Sequence, residues 1–548
     1  MAKGYFWAVF IFYALCMIVL GVVIHRKYLG HSSKKGLFEF WMAKREMPGL
    51  WLGISITAGW LMLGWIGFGM SQIYMYGATG LWILPIPWFL LCFIIIAIVP
   101  LVRRLPSVSV PQAIENRFGA PARMLVALFS VFVFLSWAQA ELFMAGRLLS
   151  PFLGVPSWVC MSLLVLPILI YVYLGGFRAV VTTDVFQFCF TSVFMIVLGV
   201  TAVWGASKVS GGDIIGALKQ VAPPLSGKGQ TFNLWFLGGL FPVVLLIGYL
   251  PGWMTEQDLI LRLQAAKSTR DARRGACLGL LLITTFIIVL PALVAFCALV
   301  VFPPANGAAA AAVDDKGYSI ISAFISRMPL GLAVFMVLGI ISSQMSTVDT
   351  FTNVAAMPLA YDLVDRFLKK RRASEKVRLN AARITTSLVI VAALPLAFMS
   401  ESLGDIYYIS SGVLSASIAL PLFFIFWKRT TLAGVMSASL AGFIGTVGGF
   451  YYEYKYLGGD EKSAHYYLKE LPQWLQGSYG YNYLALGVGL SLVTMVGVSL
   501  ATRKSAAGQL ASVRPQPVDD PAQFEKACAL ATESTALPGM ADSGRVLP

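Results

Sequence analysis

The residues best suited to chemistry form one run, Ser342-Ser343-Gln344-Met345-Ser346-Thr347-Val348-Asp349-Thr350, inside an otherwise apolar stretch from about Leu330 to Leu363. At 100° per residue, Ser342, Ser343, Ser346, Thr347, Asp349, Thr350 and Asn353 share one half of a helix, while Leu338, Val348 and Phe351 fall mostly elsewhere. A single hydroxyl in an apolar helix commonly bonds a carbonyl one turn back or joins two helices. A stripe of hydroxyls with a carboxyl group asks for more. An ionisable side chain in hydrocarbon needs a partner, and a hard cation is a natural partner for clustered oxygens. The stripe therefore predicts an ion site.

Two further acids stand in apolar surroundings. Asp184 lies in the run 179–204, where a structural, hydrogen-bonded acid is the alternative to a cation ligand. Glu141 lies halfway along Val126 to Leu149. It could bind an amino or hydroxyl group of a solute, carry a proton, or pair with Arg147, which at six residues' distance falls on a poorly matched face. The seven cysteines are scattered without metal-like spacing, and His25, His31 and His465 sit in loops or helix ends, which argues against zinc, haem and redox chemistry. No nucleophile, base and orienter come together, so an enzyme is not expected.

The elements that must position these groups are membrane spans. The chain is 58% hydrophobic and 12% charged, with mean hydropathy +0.76, which excludes a string of soluble domains and places it in a lipid bilayer. Apolar runs of about 20 residues number about 13: 4–24, 49–76, 79–101, 124–150, 157–174, 179–204, 232–256, 276–303, 329–364, 381–400, 405–427, 431–454 and 481–502. An outside N-terminus and inside C-terminus place most of the 41 Lys and Arg in inner loops, including 25–47, 257–275 and 365–383. That topology accounts for the net charge of +15 without nucleic acid. The outer segments 205–231, 304–328 (with Ala308 to Ala312) and 455–480 read as surface or gate-covering loops, and 503–548 as a disordered cytoplasmic tail.

Two spans are interrupted in a matching way, one at Ser55, Thr57, Gly59, Trp60 and Gly64, the other at Gly248, Tyr249, Pro251, Gly252 and Trp253. Glycines that only let helices pack closely would also fit. In a core of two inverted five-helix repeats, broken helices open each repeat, freeing carbonyls for ions and helix ends for solute.

Four stretches carry a resemblance to the sodium/solute symporter family, which includes sodium/proline and sodium/sugar transporters. They are Phe38 to Pro48; Gly175-Gly176-Phe177-Arg178-Ala179-Val180 with Thr183-Asp184-Val185-Phe186-Gln187; Arg262 through Ala265-Ala266-Lys267-Ser268 to Ala272-Arg273-Arg274; and Met345-Ser346-Thr347-Val348-Asp349. The resemblance spans about residues 4 to 450 and implies an all-α polytopic protein with LeuT-like inverted five-helix repeats. The implied parts are an extra helix and inner loop (1–47), a first repeat (48–204), an external loop (205–231), a second repeat (232–427), two further helices (428–502) and the tail (503–548). It implies a sodium site from the carbonyls of Ile54, Thr57 and Ser343 and the hydroxyls of Ser346 and Thr347. A second sodium would use Asp184, Ser346, Asp349 and Thr350. Solute would sit among Trp60, Gly64, Trp137, Gln139, Glu141, Tyr249, Trp253 and Glu256, where the aromatics act as gates or as bilayer-interface anchors.

The implied activity is sodium-coupled import of a small organic solute by alternating access. Ile56 replaces an acid of the proline-type relatives and Leu61 a glutamine of the galactose-type ones, while Trp60-Leu61-Met62-Leu63-Gly64 resembles the proline-type version. The expectation is therefore an amino acid or small organic acid, with a sugar or other solute, proton coupling, or a transporter-like solute sensor as alternatives.

Overall fold

The computed structural model describes residues 2–26, 37–304, 312–456, 481–502 and 519–536. The described residues are helical apart from turns, short connections and one parallel bridge between Met47 and Ala266. Ten helices are long and apolar enough to cross a membrane, and the bent pair α2 (Gly49–Trp60) and α3 (Leu63–Tyr76) makes an eleventh. The others of this kind are α1 (Lys3–Ile24), α4 (Pro85–Arg104), α6 (Ala120–Leu153), α8 (Gly176–Val209), α11 (Thr269–Val301), α12 (Leu330–Lys370), α13 (Glu375–Phe398), α14 (Leu403–Phe426), α15 (Leu432–Tyr456) and α16 (Asn482–Ala501). Between them run the amphipathic α5 (Val110–Phe118), two shorter apolar helices, α7 (Ser157–Tyr173) and α9 (Leu240–Trp253), and the half-helix α10 (Gln257–Ala265). At the end of the chain stands α17 (Pro521–Ala536).

The polar stripe lies on α12, the axis of the core. From Gly339 through Met357 every residue of α12 is buried. A helix covered all round must pair its polar groups with other protein groups. Tyr13 of α1 meets Ser342 at 2.7 Å, and Ser342 also donates to the Gln187 carbonyl of α8 at 3.1 Å. Ser342 is therefore interhelical glue.

The first interruption is where the sequence puts it. Leu61 (φ −77, ψ 57) and Met62 (φ −75, ψ 99) leave helical geometry, and α3 departs from α2 by 58°. The second lies elsewhere. Gly248 through Trp253 stay helical in α9, and the chain turns extended only at Glu256 (φ −54, ψ 129). Pro251 offers no amide, and Ser415 of α14 serves the backbone around it, donating to the Gly248 carbonyl and accepting from the Gly252 amide at 2.9 Å.

Two further expectations change. Residues 257–265 are not an inner loop but α10, with every residue buried, Arg262 included. The stretch 503–548 is not wholly a disordered tail: Pro521–Ala536 is helical, and its Phe524 is buried beneath the Arg45 guanidinium, 3.9 Å from the ring centroid. Asp519, just before α17, pairs with Arg103 at 2.9 Å. The segment 205–231 contains the helix Ile214–Gln220, and its Leu225 amide bonds the Met75 carbonyl. His31, His465 and Ala308–Ala311 lie outside the described residues, as does 457–480, most of the expected outer segment 455–480.

The two ends of the bundle differ. On the face carrying the basic loops, Arg123 pairs with Glu115 and Asp362, Arg366 also reaches Glu115, and Arg103 donates to the Gln264 carbonyl at 2.5 Å. These ion pairs tie the helices together at that end, beside a pocket of about 560 Å³ lined by Arg123, Tyr361 and Arg366. The opposite face holds a vestibule of about 830 Å³ bordered by Phe68, Gln139, Lys316, Tyr318, Asp405 and Tyr408.

Candidate functional site

The α2–α3 break and the α12 stripe face each other. Thr57 to Trp60 are the last four carbonyls of α2, which have no partner one turn further on in a regular helix. The Leu61 amide tightens back onto Ala58 at 3.3 Å, and the Leu61 carbonyl accepts Ser343 Oγ at 2.6 Å. Thr347 Oγ1 bonds the Ser343 carbonyl at 3.1 Å and reaches Glu141 Oε2 at 3.4 Å. Ser343 and Thr347 thus stand at the break, beside Leu61 and Glu141, while Thr57 Oγ1 bonds back to the Gly53 carbonyl of its own helix. Ile54 stands a turn earlier inside α2, where its carbonyl belongs to the regular helical ladder. Ser346 turns to the neighbouring acid, donating to Asp184 Oδ1 at 2.6 Å.

Asp184, Ser346 and Thr350 come together around a cation of the protein's own. Arg262 donates from Nη2 to Asp184 Oδ2 (3.0 Å) and Thr350 Oγ1 (3.0 Å), from Nη1 to Asp258 Oδ2 (3.1 Å), and from Nε to Ser55 Oγ (2.9 Å). Ser55 donates in turn to Asp184 Oδ2 at 2.6 Å. The guanidinium fork suits this bidentate duty better than an ammonium would. Its planar group therefore holds the position between Asp184 and Thr350 that was expected to take a second sodium. Asp349 is turned aside, with Oδ2 accepting Tyr171 Oη at 2.5 Å and Oδ1 buried without a hydrogen-bond partner.

Glu141 caps the second half of the broken helix. Its Oε2 accepts the Gly64 amide at 3.1 Å, at the start of α3, and its Oε1 accepts Tyr407 Oη. A carboxylate there meets both the orphan amides and the positive end of the helix dipole. Gly64 is required for this approach, because a Cβ would stand 2.6 Å from Tyr407 Oη and 2.7 Å from Glu141 Oε1. Glu141 does not pair with Arg147, which reaches Asp314 instead.

Beside Glu141 lies a midplane chamber lined by Trp60, Trp137, Trp253 and Glu256, as expected, and also by Trp65, Trp88, Tyr407 and Ser411. Tyr249 stands behind it, stacked on Trp253 at 4.8 Å and Tyr408 at 5.6 Å. Gln139 is not in the chamber: it borders the vestibule and donates to Ser400 at 2.8 Å. Sequence reasoning missed Ser411, Trp65, Trp88 and Tyr407, for which aromatic content alone gives no pointer. It also missed Asp258 and Arg262, whose signal was present as intact charges next to the interrupted seventh span.

Two discontinuous helices around a buried polar centre, with a vestibule on the face opposite the basic loops, define a multi-pass transporter of the alternating-access kind. The profile of the Sodium:solute symporter family matches residues 40–442, and the chain belongs to that family. It is 26% identical to a Sodium/glucose cotransporter of Vibrio parahaemolyticus over 79% of this chain and 82% of that one. It is 23% identical to the High-affinity proline transporter PutP of Bacillus subtilis (strain 168) over 76% and 87%. Among solved structures it resembles a Na+-coupled sialic acid symporter in a substrate-bound outward-open state (TM-score 0.70, 18% identity, 92% of this chain and 99% of that one). It also resembles Mhp1, a nucleobase-cation-symport-1 family transporter (TM-score 0.52, 10% identity, 90% and 99%). The fold is the LeuT-like one, and the chain is a sodium-coupled symporter of the bacterial plasma membrane, not an enzyme.

Proposed function

We propose that the coupling sodium binds where the α2–α3 break meets α12, held by freed carbonyls from Thr57 onward, the Ser343 carbonyl and the hydroxyls of Ser346 and Thr347. The observation that carries this reading is the contact of Ser343 Oγ with the Leu61 carbonyl at 2.6 Å, which brings the unwound backbone against the stripe. Carbonyls and hydroxyls without a carboxylate in the cage suit a weakly held monovalent ion that must also leave, whereas calcium recruits several carboxylates. Arg262 is the fixed cation at Asp184, so the stripe is divided between one exchangeable ion and one tethered charge.

Coupling follows from geometry. Ser343 and Thr347 hold the break in place, and through Thr347 and Glu141 the same contacts fix the start of α3 and Tyr407, a wall of the chamber. An ion that favours this arrangement completes the solute chamber, and by linkage a solute tightens the ion. With the basic face cytoplasmic, the membrane potential contributes about 2.3 kcal/mol per charge per 100 mV to import. The test is a thermal-shift screen of the purified protein against small solutes in sodium and in potassium. Sodium should raise the melting temperature on its own, and a transported solute should add more in sodium than in potassium. Equal shifts in the two salts would overturn the reading. If uptake in sodium-free buffer followed a pH gradient, the coupling would pass to a proton on Glu141, Asp184 or Asp349.

A further inference from the structure

We propose that the transported solute is an organic cation with an alkylated ammonium group, seated in the tryptophan chamber against Glu256; this rests on the sodium-symport reading above.

The walls of the chamber are ring faces. Trp60 and Trp88 lie 5.5 Å apart between centroids, Trp88 and Trp253 meet at 6.1 Å and 85°, and Trp65 closes a further side, 6.0 Å from Trp253 at 88° and 4.3 Å from Tyr407. Rings at such angles make a box rather than a stack. Four of their polar edges are already committed: Trp60 Nε1 donates to Asp258 at 3.0 Å, Trp137 Nε1 to Ser410 at 2.8 Å, Trp253 Nε1 to Ser411 at 3.4 Å, and Tyr407 Oη to Glu141. What remains for a solute is mainly the negative π faces, which attract a cation and give little to an anion.

A second observation points the same way. Glu256 lines the chamber, is 5% exposed, and has Oε2 buried without a hydrogen-bond partner. The nearby Arg262 is already held by Asp184, Asp258, Ser55 and Thr350 and does not line the chamber. A buried carboxyl oxygen without a hydrogen-bond partner, beside a second acid, Asp258, and among aromatic faces, calls for a cationic partner.

The alternatives expected from sequence fit poorly. The start of α3, the natural seat for a solute carboxylate, is filled by Glu141. That removes the anchor an amino acid or organic acid would use. A sugar needs a hydrogen-bond partner for each hydroxyl, and the chamber offers Ser411 and Glu256 against six aromatic rings. An alkylated ammonium needs none, and its compact apolar surface suits a chamber now closed down to about 10 Å³ that must expand by moving rings apart. Entry is from the vestibule past Phe68 and Tyr408.

The experiment uses the full-length purified protein in sodium, with thermal shift and tryptophan fluorescence as readouts. The compounds are choline, its neutral carbon isostere with a quaternary carbon in place of nitrogen, L-proline and D-glucose. Choline should stabilise the protein and quench its fluorescence, with at least a tenfold advantage over the isostere, and proline and glucose should do neither. Trp253→Leu and Glu256→Gln should each raise the half-saturating choline concentration at least tenfold, and Trp253→Phe should recover most of the loss. Equal binding of choline and the isostere, or binding of proline or glucose without choline, would overturn the proposal. A sodium-induced shift without solute separates the two readings: if it persists while choline fails, only the solute class is wrong, and if it is absent, the symport site itself is wrong.

Discussion

Replacing Arg262 with alanine should cost the protein about 3–5 kcal/mol, the usual penalty for removing one partner of a buried ion pair. Arg262, Asp184 and Asp258 are at most 1% exposed, and the guanidinium serves both carboxylates and the hydroxyls of Ser55 and Thr350. These contacts tie α10 to α2, α8 and α12, so their loss should also loosen the seal between the chamber and the basic face. Most of the cost comes from the stranded acids. Adding Asp184→Asn to Arg262→Ala should therefore restore part of the stability, a non-additive result expected of residues in direct contact. Arg262→Lys keeps the charge but loses the fork and should fall between the two. The check is melting temperature by size-exclusion chromatography of the detergent-solubilised protein. A melting temperature for Arg262→Ala equal to that of the parent would contradict the role given to this residue.

Glu141→Ala should abolish coupled transport while leaving a folded protein. The carboxylate links the Gly64 amide, Tyr407 Oη and Thr347 Oγ1, and so joins the ion cage, the start of α3 and the chamber wall. The Gly64 amide and Tyr407 Oη left unpaired at about 1–3 kcal/mol each, with Thr347 keeping its bond to the Ser343 carbonyl, would weaken both sites by well over tenfold, since about 1.4 kcal/mol is a factor of ten. Glu141→Gln keeps an acceptor for Gly64 and should retain partial function. The measurement is the sodium concentration giving half of the maximal thermal shift, with and without solute. If alanine changed the solute response alone and left sodium untouched, Glu141 would be a solute ligand and not a link between the sites.

The parts legible in the sequence were those whose signal is local. The stripe on α12 could be read because hydroxyls recurring on one helical face in an apolar run have few explanations, and the break after Trp60 because glycines and polar residues interrupt the same run. Arg262 was hidden for the opposite reason. Hydropathy ends the seventh span at Glu256 and reads Asp258 and Arg262 as a loop, since charges are costly in lipid. The partner that makes the arginine tolerable, Asp184, lies 78 residues away. Carbonyl ligands leave no side-chain trace, so Ile54 and Thr57 rest on the family resemblance alone, both lying inside the helix that ends at Trp60. The chamber was half visible. Trp60, Trp137 and Trp253 stand out near interrupted or acidic segments, while Trp65, Trp88 and Tyr407 join them only through packing, from three further helices. The helix at Pro521–Ala536 escaped because its composition is that of a solvated tail, and among its described side chains Phe524 and Cys528 are the buried ones.

The measurement that bears most directly on the central claim is equilibrium binding of radioactive sodium to the purified protein and to Ser346→Ala and Thr347→Ala. Thr347 stands at the break itself, and Ser346 is the cage hydroxyl that also bonds Asp184, so the two substitutions interrogate both halves of the stripe. The account predicts saturable binding by the parent, displaced by unlabelled sodium and not by potassium, and at least tenfold weaker in both variants at unchanged protein yield. Parent-like sodium binding in both variants would contradict it.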